Sequence, residues 1–434
     1  MIVGAGAAGL MAAIHCAKTL ASRGDRKDVV VVESTRDGGK KILISGGGRC
    51  NILPGELDET RFVTESSVNT MNKIVRSWPL HEQRRFFEEE LGIPLRLEAD
   101  SGKLFPASNR ARDVRDALVG EARRLGVAFR FESAVVAVEP IDTASATGAR
   151  WRVVIAGGDS IDASAVVLAT GGLSVPNTGS DGAGLGIARS LGHRIQPTYA
   201  ALTPLTDSRG RFASLAGVSL DVALEAPARR QKLRVVGGFL FTHRGFSGPA
   251  VLDVSHLAVR SISAPSAVPA ESSASTESAR KPQPIFAQWT PLDGDAWERE
   301  LAPRRASVAG VMRAYLPARL ADRLLELAEV PIDRSLAELR RDERLRLIDA
   351  LTHFELPWTG HEGYRTAEVT GGGVALAEID PRTMESRRCP GLFLCGEMLD
   401  AFGPIGGYNF LWAWATGRAA GAGAAISVDS GNGS

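Results

Sequence analysis

The chain has 434 residues, 44% of them apolar and 23% charged, the balance of a soluble globular protein with two or three domains. Its 51 lysines and arginines nearly cancel its 50 aspartates and glutamates, which excludes a global field drawing it to nucleic acid or membrane and leaves room only for local basic patches. The four cysteines, Cys16, Cys50, Cys389 and Cys395, form neither CxxC pairs nor a metal-ligand pattern, so reduced thiols in a cytoplasm are expected, and no metal.

The first element is MIVGAGAAGLMAAIHCAKTLA. It lacks a basic lead-in and glycines punctuate it at fixed offsets, so it reads as neither a signal peptide nor a membrane span; no other run approaches the roughly 20 apolar residues of a span. A short strand, Met1–Val3, leads into Gly4, Gly6 and Gly9, a GxGxxG. A helical stretch then closes at Gly24, and VVVVE forms a buried strand ending at Glu33. This is the order of a βαβ dinucleotide unit: Gly4 for the tight turn, Gly6 for the approach of a pyrophosphate, Gly9 for helix-on-strand packing. Ala7 and Ala8 open the helix whose free N–H groups favour an anion, and Glu33, with Ser34 beside it, would meet the ribose hydroxyls. The motif alone does not choose between NAD and FAD.

Next comes KKILISGGGRCN, Lys40–Asn51. It begins as a strand and is interrupted by Gly46, Gly47 and Gly48, where the missing Cβ lets a ligand lie against the backbone. Arg49, Cys50 and Asn51 add a cation, a thiol and an amide. Farther on, Val114, Ala117, Leu118, Ala122 and Leu125 make a helical stripe closed by Gly126. VAFRF, AVVAVE, RWRVVI and AVVLATGG read as short strands, with PIDTASATGA as a hairpin tip. Helix, small meander and LATGG is how one-FAD flavoproteins complete their nucleotide domain, which would bring Val135, Thr170, Gly171 and Gly172 to the cofactor.

After Gly192 the texture changes. VALEA, KLRVVGGFLFTH and PIFAQWT read as strands, and 263–284 as a Ser/Ala/Pro-rich disordered loop. From Trp297 to Phe354 the chain is charged and helical. The expected division is 1–192 and 357–434 as two parts of an FAD-binding domain, 193–296 as a β-rich insert and 297–356 as a helical subdomain. Arg229, Arg230 and Arg234, then Arg340, Arg341, Arg344 and Arg346, read either as solvated faces or as an RNA-facing surface.

Near the C-terminus a strand, Leu392–Cys395, ends at Gly396–Glu397, and a helix opens at about Gly406–Gly407. In an FAD enzyme Glu397 would hydrogen-bond the ribitol chain. Gly406, Gly407, Tyr408 and Asn409 at the helix N-terminus would face flavin N1 and O2, where negative charge gathers on reduction. Three separated motifs thus agree on FAD. No second GxGxxG is present, so an NADPH or NADH donor would bind transiently without a Rossmann domain of its own.

SGGGRCN, FTHRGFSGPAVLDVS, VTGGGVALAEID, MESRRCPGLFLCGEMLDAFGPIGGYN and WAWATG resemble, in order from Ile2 to about Gly421, the bacterial NAD(P)/FAD-dependent oxidoreductase family with GGGRCN and GGYN motifs, also named the aminoacetone oxidase family. The resemblance implies an α/β fold: a Rossmann-like FAD-binding domain of the glutathione-reductase type, interrupted by a β-barrel-like insert and a small helical subdomain. It also implies reduction of conjugated C=C bonds, with bile-acid intermediates or a uridine of large-subunit ribosomal RNA as substrates. Two departures stand out: ILP follows GGGRCN where the family commonly has a Thr-Asn pair, and Arg244 replaces a commonly apolar or aromatic residue.

With FAD as ligand, Gly46–Gly48 would lie against the ring or pyrophosphate, Arg49 would stabilise reduced flavin, Asn51 would supply a fixed donor or acceptor, and Lys40 and Lys41 would suit the adenosine ribose or phosphate. Cys50 either packs, as buried cysteines usually do, or protonates the substrate carbon after hydride transfer; His243 and Tyr408 compete for that role. The expected protein is a cytoplasmic flavin oxidoreductase acting on an unsaturated small molecule or ribosomal RNA. The alternatives are a reductase of a small steroid-like enone, a small-amine oxidase, and an RNA-binding factor that FAD only stabilises.

Overall fold

The computed structural model describes residues 1–25, 27–141, 148–228, 232–262 and 282–428. Residues 142–147 of the hairpin tip read at 140–149, residues 263–281 of the loop read at 263–284, and Arg229 and Arg230 lie outside the described residues. The chain divides into two units: Met1–Thr198 with Glu368–Ser434, and Tyr199–Ala367.

The first unit centres on a five-stranded parallel sheet in the order Leu392–Leu394, Val166–Leu168, Ile2–Val3, Val30–Val32, Ala128–Arg130. Ile2 lies opposite both Val167 and Val31, so the shortest strand sits at the middle of the sheet. The inner strands are runs of Val and Leu because a parallel sheet is covered on both faces. This is the Rossmann-type α/β arrangement expected from the sequence.

Two helices, Ala7–Ser22 and Tyr408–Ser427, pack backbone to backbone. A Cβ on Gly417 would stand 2.4 Å from the Ala8 carbonyl oxygen, and one on Gly421 would stand 2.1 Å from that of Ala12. Both contacts repeat every four residues and ascend together, so the helices run parallel along one small-residue stripe. Arg418 is the one charged residue of the C-terminal helix, and both helices are buried on most sides. Among the described residues, no helix is long and apolar enough to cross a membrane.

The segment read as a strand at Lys40 instead starts as a helix, and the helical span Lys40–Gly48 is broken by a kink at Ser45, Gly46 and Gly47. Gly38 and Gly39 explain the difference: Gly39 takes φ 74 as N-cap and donates its N–H to the Ala5 oxygen at 2.8 Å. Ile42 is the buried member of the apolar run, so no strand-like alternation of buried positions exists to support pairing.

The second unit holds a seven-stranded antiparallel sheet in the order Phe354–Glu355, Phe286–Gln288, Ser219–Ala226, Leu233–Thr242, Gly245–Ser247, Leu205–Thr206, Gly360–His361. Helices Gly294–Glu300, Val308–Arg313, Ala318–Leu327 and Arg341–Thr352 share one hydrophobic core with that sheet, including Trp289, Trp297, Phe239, Phe241 and Phe246.

Candidate functional site

The first strand ends in a turn that only glycines can make. Gly4 has φ 102, and a Cβ there would stand 2.5 Å from the Ala169 oxygen; a Cβ on Gly9 would stand 1.9 Å from the Gly4 oxygen. Gly6, by contrast, faces open space. It is the extended N-cap of the first helix, with no capping side chain and no acidic residue in the first turn. The leading N–H groups, those of Ala7 and Ala8 among them, therefore have no partner within the helix and meet an anion favourably.

Beside this turn the Glu33 carboxylate is buried and held at both oxygens. Oε2 accepts from the Ala5 N–H at 2.7 Å. Oε1 accepts from the N–H and hydroxyl of Thr35 at 2.9 and 2.8 Å and from the Ser34 hydroxyl at 3.3 Å. Oε2 accepts one bond and has a second acceptor site, so a ribose hydroxyl can still be received there.

A second group of polar residues joins four distant segments. Lys41 Nζ donates to Glu397 Oε2 at 2.6 Å and to Ser174 Oγ. Glu397 Oε1 accepts from the Ser174 hydroxyl and from the N–H and hydroxyl of Thr370, the latter two at 3.0 Å. Thr370 Oγ1 in turn accepts from the N–H groups of Leu173 and Ser174 at 2.7 and 3.1 Å. Gly172 makes this close approach feasible, since a Cβ there would stand 2.4 Å from Thr370 Oγ1. Gly171 (φ 76) packs against Ser180, and the buried Thr170 hydroxyl has no hydrogen-bond partner. Val135 is buried at the start of its strand. Lys41 and Glu397 were legible as separate candidates; Ser174 and Thr370 were not, although Thr370 adjoins a glycine run and Ser174 follows one after Leu173.

The glycine loop itself is left-handed. Gly46, Gly47 and Gly48 have φ 56, 68 and 84, and Cys50 follows at φ 61. A Cβ on Gly47 would meet nothing within 4 Å, so this loop offers a bare backbone surface. Asn51 does not point freely into it. In the amide orientation that satisfies both ends, Asn51 Nδ2 donates to the Leu53 oxygen at 3.1 Å and Oδ1 accepts from the Gly407 N–H at 3.0 Å. Asn51 thereby ties the first glycine loop to the N-terminus of the last helix. Asn409 closes the same loop, bonded through both amide atoms to the backbone of Gly403 at 2.9 Å. Gly407 (φ 90) leaves no room for a side chain: a Cβ would stand 2.4 Å from the Leu53 carbonyl carbon. Trp414 and Trp412 donate to the oxygens of Ile52 and Gly396, each at 3.1 Å.

Arg49 is engaged elsewhere. Its guanidinium pairs with Glu98 at 2.9 Å and lies 4.1 Å over the Phe105 ring. Both partners belong to a hairpin, Leu95–Glu98 and Lys103–Pro106, that sequence reasoning missed. Leu53–Pro54 completes its three-stranded sheet. Hydrogen bonds from Ser101 and then Arg49 hold the Glu98 carboxyl below its ordinary range.

Cys50 is fully buried. Burial pushes its thiol up to about 12, against a smaller pull from a Ser45 hydrogen bond, so it is a neutral, proton-carrying thiol. Tyr408 is also buried; its hydroxyl accepts from the Asp58 N–H at 3.2 Å, donates to the Glu56 oxygen at 3.5 Å, and its ring meets Phe62 edge-on at 5.5 Å. His243 belongs to the second unit, exposed in the turn between two strands. Lys40 forms no ion pair among the described residues.

Nearby, Asp400 holds the segment at 64–66. Its Oδ2 accepts from Ser66 Oγ at 2.7 Å and from the Glu65 N–H at 3.1 Å, with Thr64 Oγ1 at 3.3 Å. Burial raises its carboxyl to about 6.

In the second unit, Arg340 pairs with Glu343 and Asp342, Arg344 with Glu298, and Arg346 with Asp342, and Arg234 pairs with Glu225. The described arginines of both clusters are therefore mostly neutralised, Arg341 excepted. Among the described residues, no group of three or more His, Cys, Asp or Glu side chains is placed to hold a metal.

The open face at Gly6, the uncapped first helix, the fixed Glu33 carboxylate and the bare Gly47 surface together fit a dinucleotide carrying a flat ring. The family described as "HI0933-like protein Rossmann domain" matches residues 1–423. The ribosomal RNA dihydrouridine synthase of Escherichia coli is 32% identical over 96% of this chain and 95% of its own length. The 3-dehydro-bile acid delta(4,6)-reductase of Clostridium scindens is 32% identical over 98% of each chain. Among solved structures, a mutant quinol fumarate reductase from E. coli aligns with a TM-score of 0.49 at 16% identity, over 100% of this chain and 71% of that one.

Proposed function

The chain belongs to the HI0933-like Rossmann family and is a flavin-dependent oxidoreductase, and from that premise we propose that it saturates a C=C bond of an unsaturated acceptor, a uridine in ribosomal RNA being the first candidate. One observation carries this reading. Two relatives that act on unlike molecules, one named for dihydrouridine and one for a delta(4,6) steroid reduction, are equally similar to this chain. Dihydrouridine differs from uridine by one saturated ring C=C bond, so the two names share a bond type and not a substrate. The neutralised arginine clusters add nothing to the RNA choice, which rests on the relatives.

Bound FAD would supply the hydride, after reduction by NADPH or NADH. The chain's own residues would do the rest. The N–H groups at Ala7 and Ala8 hold a phosphate, Glu33 receives ribose hydroxyls, and Lys41 fixes the Glu397 carboxylate for a polyol. The Gly46–Gly48 backbone, bare at Gly47, would admit the ring because it carries no Cβ. For the proton that the substrate carbon must receive, Cys50 is the first group to test, since its thiol stays protonated across the working pH range. Its enclosure means the glycine loop must give way for delivery. Tyr408 and His243 are the rivals.

The deciding measurement is an anaerobic absorbance spectrum of the purified protein, before and after NADPH and then NADH, followed by an undermodified ribosomal RNA or an enone. Bleaching by a nicotinamide and reoxidation by the acceptor are expected. A bound flavin that neither nicotinamide bleaches sinks the reductase cycle. Reoxidation by a small enone but not by RNA moves the substrate to the second relative's class. For the proton, Cys50→Ala is expected to slow reoxidation by the acceptor about 10²-fold or more and leave bleaching unchanged, the usual scale for a lost general acid.

A further inference from the structure

The sequence offers Arg49 as the cation at the glycine loop, but its guanidinium is taken by Glu98 and the Phe105 face. A different cation, Lys103, stands beside the second glycine loop. Lys103 opens the central strand of the small sheet, opposite Pro54 on one side and Glu98 on the other. Residues two apart on a strand share a face, so Lys103 and Phe105 lie on the same side. Phe105 is the neighbour of Gly46, whose Cβ would stand 3.3 Å from its ring, and the Lys103 side chain is the neighbour of Gly406, whose Cβ would stand 3.8 Å from Lys103 Cε. One strand face thus underlies both glycine loops. Lys103 is half-buried there and, among the described residues, its ammonium makes no hydrogen bond or ion pair. It lies near enough to Glu98 to contribute to that carboxyl's lowered range without pairing with it.

We propose that Lys103 is the positive charge serving the ring of bound FAD. An FAD that takes up two electrons and one proton gains one unit of negative charge. Lys103, with no acid claiming it, offsets that charge between the two glycine loops. The N–H of Gly407, the N-cap of the last helix, is already received by Asn51, so that donor is not free for this purpose. The assignment rests on the flavin reading above.

The test compares wild type, Lys103→Met and Lys103→Arg, each loaded with FAD and reduced by dithionite against a reference dye. In Lys103→Met the ratio of reduced to oxidised flavin at a fixed potential is expected to fall at least about tenfold, roughly 30 mV for a two-electron couple. Lys103→Arg keeps the charge and is expected to stay near the wild-type potential. A Lys103→Met protein that holds FAD at the wild-type potential overturns the proposal, and so does one that loses turnover at an unchanged potential, because the charge then serves the substrate. If Lys103→Met does not fold, Lys103→Gln is read in the same way. A wild-type protein that takes up no FAD overturns the flavin reading, and with it this assignment; that result is visible before any variant is made.

Discussion

At the scale of single residues, Asp400 and Cys50 show burial acting on proton equilibria in opposite chemical settings. Asp400 is raised to about 6, so the folded protein holds its proton more tightly than the unfolded chain does. Its contribution to stability is complete below about pH 4 and is lost as the pH rises through 6. Asp400→Asn removes this titration. The stability of the variant relative to wild type is expected to improve by about 2 kcal/mol between pH 4 and pH 7, most of the equivalent of the roughly two-unit shift. Urea titrations at several pH values read this directly; a difference that does not change with pH refutes the raised carboxyl. Cys50 makes the second case. A buried thiol pushed up to about 12 carries almost no thiolate at pH 8, so native protein is expected to resist iodoacetamide at this position while the urea-unfolded chain reacts. Rapid native alkylation of Cys50, seen by peptide mass spectrometry, contradicts its enclosure.

At the scale of elements, the contact between the first and last helices depends on absent side chains. Gly421→Ala is expected to cost about 1–3 kcal/mol by overpacking, because its Cβ would meet the Ala12 oxygen. Gly186 lies in the helix Ala183–Ser190 with nothing within 4 Å, and Gly186→Ala is expected to stabilise by about 0.5–1 kcal/mol. Chemical denaturation of the two variants should move in opposite directions. The same contrast explains what could be read from the sequence. Gly4, Gly9 and Gly407 are legible because a local backbone requirement leaves only one residue type. The helix at Lys40 was missed because Gly39, outside the apolar run, decides its conformation. The hairpin carrying Glu98, Lys103 and Phe105 was missed although LRLE and KLF alternate on either side of ADSG; the pairing of Arg49 with Glu98 was not legible, because it depends on where the fold lays that hairpin. The Lys41–Ser174–Thr370–Glu397 network draws on four segments, and only the fold brings them to one point.

At the scale of the whole molecule, each unit has its own hydrophobic core, while every candidate FAD contact belongs to the first unit. Excess FAD at about 100 times its Kd is expected to stabilise that unit by about 2.7 kcal/mol. Amide hydrogen exchange should therefore slow at Val166–Leu168 more than at Leu233–Thr242. Equal slowing in both strands, or none, contradicts a site confined to the first unit.

The parallel pairing of Ala12 with Gly421 also has a consequence in time. A chain emerges from the ribosome N-terminus first, at about 5–20 residues per second, and the groove on the first helix has to wait until the entire second unit has been made. The edge strand Leu392–Leu394, which pairs with Val166–Leu168, arrives just as late. Until then the nascent chain displays an apolar stripe and an unpaired sheet edge, both of which invite association with other chains. Nascent chains stalled after the second unit are therefore the species that a chaperone should hold longest, and release should coincide with emergence of the last helix.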